Sequence, residues 1–204
     1  MTSHLPEVAA MAIRRTWMVQ TATATPAAPE NPTAIFDTAI ALFIQSGDRL
    51  LELFDKLPKP EQQANEVLKR AALVMTLTAW ETFIESWLKT QMCQKLIALK
   101  GSFAGDYIQK KFTESINQLN NPNSHKVRQL SLEFLQHDIT DQWHWNNFDK
   151  QAVCTQLNKY LSLRGEVVHQ GRSSHDPINP HLVKRDELDK AIRFFRELVK
   201  VTVG

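Results

Sequence analysis

Residues 160–171 read YLSLRGEVVHQG, and within them Arg164 and His169 stand with four residues between them. The two side chains carry complementary chemistry. An arginine is always charged and its planar fork fits two oxygens of a phosphate or carboxylate, while a histidine, with an ordinary pKa near about 6.5, can give or take a proton. Glu166 lies between them, and Glu81 sits far upstream. Arg164 is also oddly placed. On a helix drawn at about 100° per residue, Val153, Leu157, Tyr160, Leu161 and Val168 share one arc and the arginine falls in its middle. A guanidinium is rarely buried unpaired, so this one needs a carboxylate partner, Glu81 or Glu166, or a cleft in which to work.

The elements that must hold these groups read as helices. Residues 1–33 end in TATATPAAPENPT, which has no apolar period and reads as a flexible arm, leaving residues 34–204 as one helical domain. Phe36, Ile40, Phe43, Ile44, Leu50, Leu51 and Phe54 recur at helical intervals until LPKP stops the first helix. From Glu61 to Gly101 there is no proline, which predicts a second helix of roughly 40 residues, or about 60 Å. Leu73, Leu77, Trp80, Ile84, Trp87 and Leu88 form its apolar arc, a core face, with Glu81 on the edge.

A third helix is expected from about Ala104 to Leu119, and a fourth after Pro122 with Ser124 as its cap. Trp143 and Trp145 flank His144 in the next loop; they read as aromatics tucking that loop onto the bundle, with base stacking as the alternative. Asp149 is placed to cap the helix that carries Arg164, Gly165 weakens that helix from within by about 1 kcal/mol, and a last helix follows the loop HQGRSSHDPINPH. The fold class is therefore all-α, a bundle of five to six helices with a long second helix.

Composition removes several function classes. Lys and Arg total 24 against 22 Asp and Glu, a net charge of +2, too balanced for a general nucleic-acid coat. Residues 150–204 nevertheless hold ten Lys and Arg against six Asp and Glu, so the positive field lies near Arg164. No run of 18 apolar residues predicts a membrane helix, and no leader pattern opens the chain. Cys93 and Cys154, far apart, suit free thiols in a reducing compartment, which points to the cytoplasm. Phosphate-loop, metalloprotease and α/β-hydrolase motifs are missing. His169, His175 and His181 match no common metal-site spacing, so no metal and no cofactor are expected.

The long helix with AWETFIESWL, then NPNSHKVRQLSLEFL, then the Trp-bearing loop, then LNKYLSLRGEVVHQG, resembles in this order the RiboL-PSP-type branch of the HEPN superfamily. The resemblance spans most of residues 35–203. It implies an HEPN-like helical bundle that pairs as a homodimer through the motif helices, and a metal-independent RNA endonuclease of toxin-like or defence type. Arg164 and His169 would be catalytic, Glu166 or Glu81 would orient them, RNA would be the substrate, and an antitoxin or other neutralising protein could be a partner. A non-catalytic HEPN module for dimerisation or nucleotide binding is the alternative.

Two positions depart from the pattern. Gly165 stands where members that cut RNA often carry a polar residue, and Gln170 displaces the glycine after the histidine to Gly171. Geometry adds a condition. Five residues of helix turn Arg164 and His169 about 140° apart, so either the helix ends between Gly165 and His169 or two copies of the motif meet across a dimer.

Overall fold

The computed structural model describes residues 45–65, 67–169 and 183–204, all within the unit Asn31–Gly204. The expected arm, residues 1–33, and the loop with His175 and His181 lie outside the described residues. Among the described residues seven α-helices run in the order α1 (Gln45–Asp55), α2 (Lys59–Ala64), α3 (Val67–Leu96), α4 (Phe103–Asn117), α5 (Ser124–Leu130), α6 (Lys150–His169) and α7 (Arg185–Val203). Short 3-10 turns at Ile97–Leu99 and Ile139–Gln142, and a π-turn at Ser131–Leu135, join them. The bundle is all-α as expected, and among the described residues no helix is long and apolar enough to cross a membrane.

The bundle is organised around α3. Ala72, Leu73, Leu77, Trp80, Phe83, Ile84, Trp87 and Leu88 are buried on several of its sides, which suits a helix covered by neighbours all round. α1 and α7 cover it most extensively and α6 adds a further side. Trp80 is the hub. Its ring lies 5.8 Å from that of Trp143, 6.0 Å from Phe83 and 6.2 Å from Phe195, so α3, α7 and the loop before α6 meet on one aromatic cluster. The loop is indeed tucked in by its aromatics, since Trp143 is fully buried and its indole N–H donates to Thr202 Oγ1 at 3.0 Å.

Two expectations about helix boundaries need correction. The second helix is not a single rod of 40 residues: α2 takes its first residues, with Pro60 in its first turn, and Asn65 ends it in a non-helical conformation. Both the backbone N–H and the side-chain amide of Asn65 donate to Glu61 O, each at 2.9 Å, closing the last turn of α2 on one carbonyl. At the far end Gly101, at φ +77°, turns the chain toward α4. The cap of α5 is Asn123, whose side chain accepts from Lys126 N, and Ser124 is the first helical residue.

Candidate functional site

Arg164 does have a partner inside its own chain. Its Nη1 donates to Glu81 Oε2 at 2.8 Å, joining α6 to α3. The two side chains are 28% and 20% exposed, so the pair is neither a dry-core ion pair nor a solvated surface one. This answers how an arginine sits in an apolar stripe: it reaches across the stripe to the carboxylate at the edge of the facing helix. Among the described residues, Glu81 is the carboxylate that the guanidinium meets, through one of its nitrogens.

Glu81 is itself held. Its Oε1 accepts the backbone N–H of Asn121 at 2.9 Å. Asn121 lies at φ 55°, a left-handed conformation that Asn adopts more readily than most residues, in the turn NNPN before α5. The same turn is pinned from α3 by the Trp80 indole N–H, which donates to Pro122 O at 3.0 Å. From α6, Asn158 closes the other side: its Oδ1 accepts from Ser124 N at 3.0 Å and from Ser124 Oγ at 3.1 Å. Adjacent residues Trp80 and Glu81 thus divide the work, one packing the core and the other presenting a carboxylate whose two oxygens are both committed. One turn on, burial raises the Glu85 carboxyl above its ordinary value; Lys89 opposes this and the Glu81 charge adds to it.

Asn121 and Asn158 were not singled out from sequence, and Ser124 was read only as a helix cap. The signal was present in the Asn-rich turn, but only a contact between residues 40 apart in the chain reveals what that turn supports.

The other members of the motif are placed less completely. The backbone of α6 is helical through His169, so the helix does not end between Gly165 and His169, and the 140° divergence along it stands. The side chains of Glu166 and His169 lie outside the described residues. Gly165 is described: among the described residues, nothing lies within 4 Å of where a Cβ would stand on it.

Other candidate groups can be placed as well. Cys93 is exposed and Cys154 half-buried, both as free thiols. Burial pushes the Cys154 thiol up, with Ser124 opposing, which is the wrong direction for a nucleophile. His144 is exposed on the loop beside the buried Trp143. Among the described residues no group of three or more His, Cys, Asp or Glu side chains is gathered as a metal site would need.

A family model described as RiboL-PSP-HEPN matches residues 43–204, which include every helix of the bundle. Searches of curated proteins and of solved structures find no match.

Proposed function

The chain belongs to the RiboL-PSP-HEPN family, and on that premise we propose that it is a metal-independent RNA endonuclease whose reaction is carried by Arg164 and His169. The observation that supports this reading most strongly is the state of Arg164, which is anchored by Glu81 through one nitrogen and stays partly exposed, so that a phosphate can reach it.

Cleavage without a metal needs a base to take the proton of a ribose 2′-hydroxyl, a cation to steady the charge on the phosphorane, and an acid to protonate the leaving 5′-oxygen. The 2′-oxygen to phosphorus bond forms as the phosphorus to 5′-oxygen bond breaks, giving a 2′,3′-cyclic phosphate and a free 5′-hydroxyl. His169 serves as base or acid, and Arg164 binds two non-bridging oxygens. Glu81 orients the guanidinium from behind. Because α6 aims Arg164 and His169 apart, the site is assembled from two copies of the chain across a two-fold axis. The open side of Gly165 lets another helix approach closely there.

Such an enzyme acts on cytoplasmic RNA in a toxin-like or defence-related role, held in check by a neutralising protein. Growth arrest on expression, relieved by Arg164→Ala, tests that role. In vitro, cyclic-phosphate ends on the RNA products test the reaction. Intact RNA with a well-folded parent protein would leave a non-catalytic HEPN module in its place.

A further inference from the structure

Between α6 and α7 two cavities of about 640 and 340 Å³ adjoin, both lined by Gln156, Tyr160 and Lys190. The larger extends past Lys159 and Leu163 to Val183 at the start of α7, and the smaller ends on Trp145, Phe148 and Phe194. Together they make one groove along the seam between α6 and α7. Each cavity falls near the size range of pockets that take a small ligand, and their linkage suits a chain of repeated units better than one compact molecule.

The lining is aromatic and built. Trp145 and Phe148 are held ring on ring, 5.3 Å apart at 30°, by a tight turn in which each backbone N–H donates to the other's carbonyl, with Asn147 at φ 71°. Phe194 meets Trp145, Phe148 and Tyr160 edge-on at 5.4 to 6.0 Å. Trp145 and Phe148 remain partly exposed. On the rim Lys159 and Lys190 are exposed and, among the described residues, make no ion pair, while Glu197 is drawn 3.8 Å toward Lys200. Glu187 is the remaining carboxylate of the lining. Partly exposed flat rings flanked by exposed cations match the bases and phosphates of an unpaired nucleic-acid strand.

We propose that this groove binds single-stranded RNA, with bases against Trp145 and Phe148 and phosphates toward Lys159 and Lys190. The assignment deepens the endonuclease reading and rests on it for the choice of ligand. Tyr160 lies four residues before Arg164 on α6, about 6 Å along the axis, so a strand in the groove is delivered within one helical turn of the proposed clamp.

The test uses the full chain and a fluorescently labelled 2′-O-methyl oligouridylate, which offers no free 2′-hydroxyl and so reports binding without cleavage. By fluorescence anisotropy, Trp145→Ala should weaken binding about 5- to 150-fold, the range for loss of one stacked base. Lys190→Ala, an exposed change that leaves folding intact, should weaken binding and lower the salt slope by about one, whereas Lys111→Ala on α4 should do neither. Unchanged affinity in both groove variants, or equal losses in Lys190→Ala and Lys111→Ala, would overturn the proposal. The two readings fail separately. A parent that cuts RNA while its groove variants bind as tightly as before removes the groove alone. A parent that binds through the groove but cuts nothing removes the endonuclease.

Discussion

The two halves of α6 are built on opposite terms. The first half is tied at several points: Asp149 caps it by accepting Ala152 N at 2.7 Å, Val153 and Leu157 are wholly buried, and Asn158 is hydrogen-bonded to Ser124. Beside its start, Asp138 gathers Lys150, Arg128 and Thr140 onto one carboxylate. Among the described residues the second half holds Arg164 through Glu81, and nothing lies within 4 Å of a methyl placed on Gly165. One helix thus has an end that fixes its position and an end that presents a charged group. Secure placement of the first half is what lets the second half hold a charged group at a stripe where packing alone would favour an apolar one.

The largest effect should come from the fixed half. Leu157→Ala removes a fully buried side chain and should cost about 2–5 kcal/mol, read as a lower urea midpoint with an unchanged slope. A cost as small as that of an exposed site would break the comparison at once.

Glu81→Gln sharpens the comparison from the other half. It keeps an acceptor for Asn121 N–H but loses the charge that holds Arg164, and a cost of about 1–3 kcal/mol is expected for a charged hydrogen bond. RNA cutting should fall with it, because the guanidinium is no longer oriented. Stability that falls while cutting stays at the parent rate would make the pair structural.

The Asp138 corner predicts an acid limit. Burial works to raise its carboxyl, and the hydrogen bonds from Thr140 and Lys150 outweigh it, so the group ends below its ordinary value. A carboxyl depressed in the folded state stabilises fully above its unfolded value, about 3.9, and loses that contribution as pH falls through the lower folded one. Asp138→Asn should therefore cost about 1–2 kcal/mol at neutral pH and flatten the fall in stability below about pH 4. An unaltered acid limb in thermal melts would show that other carboxylates set it.

Gly165→Ala should have the smallest effect, and in the opposite sense. With no neighbour within 4 Å, the added methyl is accommodated and the helix gains about 0.5–1 kcal/mol. If a second copy packs against that face, the same change should weaken self-association in sedimentation experiments while the monomer's melting point rises.

Sequence patterning carried the fold further than the site. The apolar arc of α3, the cap at Asp149 and the break at Pro122 are local signals of spacing and residue type, and the structure follows them. The break after Asn65 was less legible, since Asn65 and Glu66 interrupt no apolar period and only the cap geometry marks the end of α2. Arg164 stood out because a charge in an apolar stripe contradicts its surroundings, and that contradiction limited its carboxylate partner to Glu81 or Glu166. Choosing between them depends on how α3 crosses α6, which no periodicity within either helix encodes. Asn121 was invisible for a related reason: its role is a backbone N–H in a left-handed turn, and backbone donors have no letter in the sequence.

The central claim is that Arg164 clamps a phosphate while anchored by Glu81, and that His169 moves the proton. It is tested most directly by single-turnover cleavage of an RNA oligonucleotide, in the presence of EDTA, by the parent protein, Arg164→Lys and His169→Ala. Lysine keeps the charge but loses the fork. The account predicts cleavage by the parent undiminished by chelator, and losses of at least about 100-fold in both variants, each with a melting point close to the parent's. Parent-like cutting by both variants, or a parent activity that EDTA abolishes, would contradict it.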